Sequence, residues 1–327
     1  MQSTTLNDAT LEAGPKTVVV LGTGGTIAGV AASATDNVGY SAAQLGVAQL
    51  LAGMETPALR LEAEQVAQLD SKDMDFAVWH ALAARVAHHL GRAEVCGIVV
   101  THGTDTLEET AYFLQRLFAP SKPVVLTGAM RPASSLQSDG PQNLRDAIGV
   151  ASAADVQGVL VAVAGTVHAG DAVRKVHPYR LDAFSSGDSG AVALIEEGAL
   201  RQLRPWPGGE ALGIGVLPAQ ASAWPAVEIV TSCSGAWAQA VPALVAAGAR
   251  GIVVAATGNG GLHRDLEGAL LAAQASGIAV LRSTRCLDGR IVEGRPGAGS
   301  ALPSAGALTP VQARVELMLR LLVTARV

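Results

Sequence analysis

The chain is short of charge, cysteine and aromatic residues. Charged residues make up 16% of its 327 residues, aromatic residues make up 3%, and the formal net charge is −5. Lysine and arginine form no basic cluster that could neutralise a phosphate backbone, so we expect no nucleic-acid partner. The three cysteines, Cys96, Cys233 and Cys286, are too few and too scattered for a disulfide framework or a zinc site. This cysteine usage favours a reducing compartment.

Long apolar runs are also missing from the sequence. Stretches such as 97–100 and 251–256 are far shorter than the ~20 residues of a membrane-spanning helix. Residues 1–16 contain no apolar segment of the kind found in secretory signal peptides. We therefore expect no membrane association and a cytoplasmic protein, or a periplasmic one if a signal peptide has been removed.

The apolar residues that are present predict a folded α/β protein. They make up 49% of the chain, which excludes intrinsic disorder, and the length predicts about two domains. Short β-branched runs alternate with amphipathic stretches, a rhythm typical of parallel sheets covered by helices. We predict a larger N-terminal parallel-sheet domain of the flavodoxin-like type and a smaller C-terminal α/β domain. The predicted boundaries are 1–204 for the first domain, 205–226 for a proline-containing linker and 227–327 for the second domain.

Individual strands and helices can be assigned from these runs. The predicted strands are 17–21, 97–101, 123–127, 156–163, 227–231, 251–255 and 278–282. The predicted helices are 107–117, 142–153 and 310–322. Thr106 and Glu109 predict a capping box at the start of the first of these helices, and Thr309 with Pro310 predicts the start of the last.

A glycine-rich segment follows the first predicted strand. Residues 22–29 have the sequence GTGGTIAG, so that backbone N–H groups can approach a ligand while Thr26 offers a hydroxyl. The segment lacks the Gly-Lys-Ser/Thr ending of a P-loop, and Ile27 occupies the last glycine position of a dinucleotide-binding motif. Taken alone, the segment fits a tight turn as well as a ligand-binding loop.

A second polar segment, 101–106, has the sequence THGTDT and connects a predicted strand to a predicted helix. The helix N-terminus attracts anions, Thr104 offers a hydroxyl, and the carboxylate of Asp105 can hold an ammonium group. Both residue types are also common helix caps, although Thr106 is the predicted cap here. His102 is interpreted as a packed or hydrogen-bonding residue, because no potential metal ligands are suitably spaced around it.

Two threonine hydroxyls after different strands suggest nucleophilic catalysis, which requires a base. Three of the histidines, His80, His88 and His89, lie on one amphipathic stretch, and we expect them on its solvent side. A buried lysine can replace histidine as the base, because desolvation favours the neutral amine. Lys175 is the candidate, since it follows the strand predicted at 156–163, although its position alone also fits a solvent-exposed lysine.

The motifs together resemble one family, the bacterial-type L-asparaginases, which are threonine amidohydrolases and include the glutaminase-asparaginases. Residues 23–29 (TGGTIAG) and 101–111 (THGTDTLEETA) are similar to the two signatures of that family. Further similarity lies at 70–74 (DSKDM), 127–132 (TGAMRP), 138–141 (SDGP) and 257–260 (TGNG). The resemblance extends from about residue 17 to residue 322.

The resemblance implies a two-step amide hydrolysis without a metal or an organic cofactor. It implies Thr26 as the nucleophile, with Tyr40 closing over it. It implies Thr104, Asp105 and Lys175 as a second set of catalytic residues. Attack by Thr26 on the side-chain amide of the substrate expels ammonia, and water then hydrolyses the acyl-enzyme.

The resemblance also implies how the substrate is bound. Ser71 and Asp105 are expected to bind its α-carboxylate and its α-ammonium group, since a hydroxyl suits an anion and a carboxylate suits a cation. Gly103 is also expected to contact the substrate, and backbone N–H groups near Thr104 and Ala129 are expected to form the oxyanion hole.

Members of this family are usually homotetramers, built as dimers of dimers, in which the smaller domain of a neighbouring subunit completes each site. The resemblance therefore places Asn259 and Glu293 at the substrate, the latter in a loop of different length and spacing. Lys72 stands where a glutamine is common, and Gly261 where a second asparagine is common. Loss of such contacts predicts a preference for asparagine over glutamine, because the longer substrate depends more on secondary contacts.

Two other functions fit part of the pattern. The asparaginase-like subunit of archaeal tRNA-dependent amidotransferases has the same motifs but carries an extra N-terminal domain, whereas the first strand here is predicted at residue 17. A noncatalytic amino-acid-binding protein would keep the pocket without turnover. We predict hydrolysis of L-asparagine to L-aspartate and ammonia, with weaker activity on L-glutamine.

Overall fold

The computed structural model describes residues 16–57, 59–294 and 300–326. Residues 1–15, which carry most of the segment considered above for a signal peptide, lie outside this range. No helix within the described ranges is long and apolar enough to cross a bilayer.

Strands and helices alternate through the described part of the chain. The strands are β1 (Lys16–Gly24), β2 (Val30–Ala31), β3 (Tyr40–Ser41), β4 (Leu59–Leu69), β5 (Val95–Thr101), β6 (Val124–Thr127), β7 (Val159–Val163), β8 (Thr166–Ala169), β9 (Arg174–Lys175), β10 (Phe184–Ser185), β11 (Ala193–Glu196), β12 (Ala199–Gln202), β13 (Val227–Thr231), β14 (Gly251–Ala256) and β15 (Ala279–Thr284). The α-helices are α1 (Val47–Leu50), α2 (Phe76–Leu90), α3 (Leu107–Phe118), α4 (Gly140–Ser152), α5 (Ala240–Ala246), α6 (Arg264–Ala275) and α7 (Pro310–Thr324). Short 3₁₀ turns lie at Thr26–Ala28, Ser71–Asp73, Gly187–Ser189, Ile214–Val216 and Ala221–Ala223.

Eight of the described strands form one large sheet in the order β12-β11-β8-β7-β6-β5-β1-β4. Its parallel strands β4, β1, β5, β6 and β7 follow the flavodoxin-like order, in which the second strand in sequence pairs outside the first. The predicted fold class is confirmed. The sheet also carries three antiparallel strands, β8, β11 and β12, so it is mixed where the sequence predicted a parallel sheet.

Strand β4 is the longest strand that the sequence did not predict. It lies at the edge of the sheet, beyond β1, and its polar residues alternate with apolar ones instead of forming a continuous apolar run. An edge strand that is solvated on one face has this pattern, whereas the predicted strands of the large sheet are almost entirely buried. Strands β8, β11 and β12, each four residues long, were not predicted either.

The smaller C-terminal sheet contains β13, β14 and β15, all parallel and in that order. These strands lie where the sequence predicted them. The boundaries at residues 204 and 226 stay a prediction. Between them Trp224 is buried, and its ring stacks on Phe76 of α2 with 4.6 Å between the ring centroids.

Two layers of helices cover the large sheet. Helices α2 and α3 pack on one face, and helices α1 and α4 pack on the other. Apolar residues of α7, including Leu317 and Met318, belong to the same buried cluster as Phe113 of α3 and Val253 of β14. Helix α7 therefore joins the larger sheet to the smaller one through a shared core.

The two predicted helix starts have different outcomes. At α7 the hydroxyl of Thr309 accepts the N–H of Gln312, and the Gln312 side chain accepts the N–H of Thr309, which confirms this start. At α3 the helix begins as predicted, but the capping box is wrong. The hydroxyl of Thr106 instead donates to the carbonyl oxygen of Ser71 at 2.8 Å, a long-range contact that competes with the local cap.

The prediction that three histidines face solvent is wrong for His89. Its side chain is buried, and its Nε2 lies 2.9 Å from Oε2 of Glu64 on the unpredicted strand β4. Its Nδ1 lies 3.1 Å from the guanidinium of Arg92. His88 is exposed and His80 is partly buried. The edge strand thus covers a helix face that the periodicity alone assigned to solvent.

A buried carboxylate on α7 joins this helix to α3. Glu316 accepts hydrogen bonds from the Tyr112 hydroxyl at 3.0 Å, from Nε of Arg116 at 2.8 Å and from Nε of Arg320 at 2.9 Å. Burial raises the pKa of Glu316, but the hydrogen bonds from the two arginines outweigh burial and hold the pKa below its usual value. The carboxylate is therefore charged near neutral pH and stabilises the junction of the two helices.

Replacement Glu316→Ala is expected to lower the free energy of unfolding by about 3–5 kcal/mol, because Tyr112 and Arg116 lose their buried acceptor. Denaturant titration at neutral pH measures this loss. The control is Glu196→Ala, which breaks an exposed pair with Arg201 and should cost less than about 1 kcal/mol. Since the folded-state pKa of Glu316 is lowered, its contribution should fade as the pH falls through that pKa. Equal losses in the two variants contradict the prediction.

Candidate active site

The loops that carry the candidate residues meet at one edge of the large sheet. Strands β4, β1, β5 and β6 are neighbours and parallel, so their carboxyl ends lie side by side. Thr26 follows β1, Ser71 follows β4, Thr104 and Asp105 follow β5, and Ala129 follows β6. The strand order reverses between β1 and β5, and such switch points are where open α/β sheets bind ligands.

Glycines allow these loops to touch. Gly25 has φ 83°, and a Cβ atom added to it would lie 2.4 Å from both Cα and N of Gly103. A Cβ atom added to Gly103 would lie 2.5 Å from Oγ of Ser71. The loops after β1, β5 and β4 are therefore in backbone contact, and any larger residue at either glycine would separate Thr26 from Thr104.

Thr26 and Tyr40, which the resemblance placed together, form a hydroxyl pair. Thr26 begins a 3₁₀ turn and is 8% exposed, and its Oγ1 lies 2.6 Å from the hydroxyl oxygen of Tyr40. Tyr40 lies on β3, which pairs with β2 in a short hairpin directly after the turn. The hairpin places the tyrosine ring over the turn, where a Cβ on Gly29 would meet it at 2.8 Å.

Thr104, Asp105 and Lys175 are also brought together. Nζ of Lys175 donates to Oγ1 of Thr104 at 2.9 Å and to Oδ1 of Asp105 at 2.6 Å. Thr104 is buried and the Lys175 side chain is 15% exposed, whereas the Asp105 side chain is 55% exposed. The amine therefore lies between an enclosed hydroxyl and a carboxylate that a ligand can reach.

Two residues that the sequence analysis did not assign contact the segment that ends at Lys175. The backbone N–H of Lys175 donates to Oε2 of Glu108 at 3.1 Å. Nε2 of Gln312, at the start of α7, donates to the carbonyl oxygen of Val173 at 2.9 Å. Glu108 is the first residue of the EETA portion of the second motif, but nothing in that motif indicated a contact with Lys175.

His102 is a buried hydrogen-bonding residue, which confirms its interpretation. Its Nδ1 lies 2.7 Å from the carbonyl oxygen of Gly103, and its Nε2 lies 3.0 Å from the hydroxyl of Thr110. Burial lowers the pKa of His102 to about 4, so the ring is neutral at pH 7 and donates from Nδ1 to the carbonyl. The ring thus fixes the backbone beside Thr104. No group of three potential metal ligands occurs in the part of the chain that the structure describes.

Several donors at this edge have no acceptor among the residues that the structure describes. Ser71 is buried, and its hydroxyl accepts the N–H of Asp105 at 3.2 Å, which leaves the hydroxyl proton free for another acceptor. The backbone N–H groups of Thr104 and Ala129 have no acceptor among residues 16–57, 59–294 and 300–326. These donors are suited to bind an anion or a developing oxyanion.

Lys72 points toward neighbouring carboxylates. Its side chain is 61% exposed, and its Nζ lies 2.8 Å from Oδ2 of Asp70 and 3.2 Å from Oδ2 of Asp73. Hydrogen bonds that Lys72 donates to both carboxylates raise its pKa. The ammonium group is therefore locally paired, one residue away from Ser71.

Asn259 and Glu293 lie in the smaller domain and contact their own surroundings. The Asn259 side chain donates to the carbonyl oxygen of Val292 at 2.9 Å and accepts its N–H at 2.7 Å. Glu293 is 59% exposed and pairs with Arg282 at 3.3 Å. Within the described ranges neither side chain forms a hydrogen bond to Thr26 or its neighbours, so a single chain does not place them at the substrate.

Comparison with known proteins extends these observations. Residues 17–207 match a family model described as asparaginase, N-terminal, and residues 226–326 match one described as glutaminase/asparaginase C-terminal domain. L-asparaginase 2 of Escherichia coli (strain K12) is 36% identical, over 93% of this chain and 88% of that protein. L-asparaginase 2 of Bacillus subtilis (strain 168) is 35% identical, over 92% of this chain and 81% of that protein.

Glutaminase-asparaginase of Pseudomonas fluorescens biotype A is 36% identical, over 84% of this chain and 77% of that protein. The crystal structure of a probable cytoplasmic L-asparaginase from Campylobacter jejuni is similar with a TM-score of 0.85 and 34% identity, covering 94% of this chain and 95% of that one. Both family models together cover nearly the whole chain, in the order and positions of its two sheets. The chain belongs to the asparaginase family of amidohydrolases.

Proposed function

We propose that this protein is an L-asparaginase, which hydrolyses L-asparagine to L-aspartate and ammonia with a threonine nucleophile. The observation that carries the proposal is the contact between the loops of Thr26 and Thr104 at the switch point of the sheet. This contact places a hydroxyl pair beside a lysine–carboxylate–hydroxyl set. Relatives named L-asparaginase, about 35% identical over most of the chain, support this substrate.

The first step forms an ester on Thr26. Its Oγ1 attacks the carbon of the substrate carboxamide, and Tyr40, whose hydroxyl lies 2.6 Å away, relays the released proton toward the leaving amine. The N–H groups of Thr104 and Ala129 stabilise the oxyanion of the tetrahedral intermediate. Collapse of this intermediate breaks the C–N bond, expels ammonia and leaves the aspartyl group on Thr26.

The second step hydrolyses the ester. A water molecule attacks the ester carbon, and the set of Thr104, Lys175 and Asp105 takes its proton through the contacts at 2.9 and 2.6 Å. The C–O bond to Thr26 breaks, the threonine regains its proton and aspartate leaves. No step uses a metal or an organic cofactor.

Substrate binding uses the exposed carboxylate and the free hydroxyl. One oxygen of Asp105 binds Lys175, so the other can bind the α-ammonium group of the substrate. The Ser71 proton can bind the α-carboxylate, and Lys72 adds a positive charge one residue away. Asp105 and Ser71 together therefore hold the two charged ends of an α-amino acid, and the side-chain amide of that amino acid faces Thr26.

We further propose a cytoplasmic homotetramer, built as a dimer of dimers, with domains at 1–204 and 227–327 and a linker at 205–226. In this assembly Asn259 and Glu293 of a neighbouring smaller domain complete the site. Asn259 keeps one amide hydrogen and one oxygen lone pair free beyond its bonds to Val292, and Glu293 is largely exposed. Light scattering should then give about four times the 33.1 kDa chain mass.

The chain is also proposed to prefer asparagine over glutamine. Gly261, where the family pattern has a second asparagine, leaves out one side chain that could bind the longer substrate. A missing hydrogen bond corresponds to a change of up to about tenfold in kcat/KM. A Cβ atom on Gly261 would lie 3.2 Å from Oγ1 of Thr257, so Gly261→Asn fits with a small adjustment. Equal kcat/KM values for the two amides in the wild type contradict the preference.

The test of the proposed function is ammonia release from L-asparagine and from L-glutamine at neutral pH without added metal. Turnover of asparagine by the wild type is the expected result. If neither amide releases ammonia while calorimetry detects binding of asparagine, the protein is a noncatalytic amino-acid-binding protein and the proposal is wrong.

A further inference from the structure

A glutamate outside the proposed mechanism contacts the backbone of the proposed catalytic lysine. Glu108 lies in the first turn of α3, three residues after Asp105, and its Oε2 accepts the N–H of Lys175 at 3.1 Å. The segment 104–108 therefore contacts Lys175 at both its amine and its main chain. Thr104 and Asp105 bind its amine, and Glu108 binds its main chain.

The strand that carries Lys175 is short. Strand β9 contains two residues and pairs only with the two residues of β10, and neither strand joins the large sheet. The preceding residues are held by other contacts: Val173 is buried, its carbonyl oxygen accepts a hydrogen bond from Gln312, and the guanidinium of Arg174 donates to the carbonyl oxygen of Leu287. The backbone N–H of Lys175 itself bonds to Glu108. A short strand of this kind does not fix a long side chain by itself, because lysine has four rotatable bonds and a large rotamer entropy.

We propose that Glu108 is a positioning residue of the active site. It fixes the main chain of Lys175 so that the amine reaches both Thr104 and Asp105. The inference rests on the proposed function, because the position of Lys175 affects turnover only if this lysine takes part in the reaction.

The surroundings of Glu108 predict which replacement preserves this role. The charged groups that face it are Glu109 on its own helix and Arg174 and Lys175 on β9. Burial raises the pKa of Glu108 to about 7, so charged and neutral forms coexist near neutral pH. Both forms offer an oxygen to the N–H of Lys175. A glutamine, which also offers an oxygen and has the same length, should therefore keep the contact.

The test compares Glu108→Gln and Glu108→Met, with Glu109→Met as the matched control. Glu109 is the next residue of α3 and approaches Arg314 at 3.9 Å instead of Lys175. For L-asparagine we expect Glu108→Met to lower kcat about tenfold with KM within about twofold. Glu108→Gln should stay within about threefold of the wild type, and Glu109→Met should match the wild type. Thermal unfolding verifies that each variant folds, and Glu108→Ser replaces Glu108→Met if the latter does not.

A second readout separates positioning from a general structural role. If Glu108 acts through Lys175, Glu108→Met should change the residual rate by less than about twofold when Lys175 is already methionine. An unchanged kcat in Glu108→Met, or the same tenfold loss in the Lys175→Met background, overturns the inference while the proposed function stands. A wild type that does not hydrolyse asparagine overturns the proposed function, and the role of Glu108 with it.

Discussion

Thr26→Ala is expected to reduce kcat for ammonia release from L-asparagine by about 10³-fold or more. The replacement removes the hydroxyl that lies 2.6 Å from the Tyr40 hydroxyl, and alanine offers no atom that can form the ester. Steady-state ammonia release measures the loss.

Two control variants make this result specific to Thr26. Thr26→Ser keeps a hydroxyl and should retain measurable turnover. Thr324→Ala removes a hydroxyl that bonds to Arg320 near the end of α7 and should leave kcat unchanged. If Thr26→Ala keeps a rate within about tenfold of the wild type, Thr26 is not the nucleophile, and Thr104 becomes the candidate.

Lys175→Met is expected to lower kcat about 10²–10⁴-fold, because it removes the group that takes a proton from the attacking water. Methionine has a similar length but leaves Thr104 and Asp105 without their shared partner. The loss should fall on the second step, so an aspartyl ester should accumulate on Thr26. Intact-mass spectrometry after mixing with L-asparagine detects this ester.

The control for this variant is Lys122→Met, which removes a lysine that donates to the carbonyl oxygen of Arg92, away from the site. Its kcat should stay within about twofold of the wild type. A large loss in Lys175→Met without a covalent adduct on Thr26 would assign the lysine to the first step instead, and would contradict its proposed role.

The parts of the fold that were predicted are those with a local pattern. The central strands are buried on both faces, so their apolar runs are continuous, and β14 begins at the predicted residue Gly251 and ends one residue beyond the predicted end. Strand β4 has alternating polar residues because it lies at the edge of the sheet. Its absence from the prediction also led to the error at His89, since Glu64 of that strand is the partner of this histidine.

In the site too, local sequence patterns predicted the motifs but not the long-range contacts between them. The loops of Thr26 and Thr104 carry motifs that can be recognised, and parallel topology brings the ends of neighbouring strands together. Thr106 fits a helix cap by its sequence, yet its hydroxyl bonds to Ser71, thirty-five residues away in the chain. The contact between Glu108 and Lys175 joins residues sixty-seven positions apart, and neither their spacing nor the composition of the chain predicts it. Such contacts depend on how two loops are oriented in three dimensions.

The side chain of Gln312 forms hydrogen bonds in two different parts of the chain. Its side chain completes the cap of α7 by accepting the N–H of Thr309, and the same amide group donates to Val173, two residues before Lys175. The two parts of the chain are therefore not interchangeable modules. A chimera that joins this larger domain to the smaller domain of a relative must supply an equivalent amide at this position. Without that amide, the chimera would keep Thr26 but lose a hydrogen bond that holds the segment before Lys175.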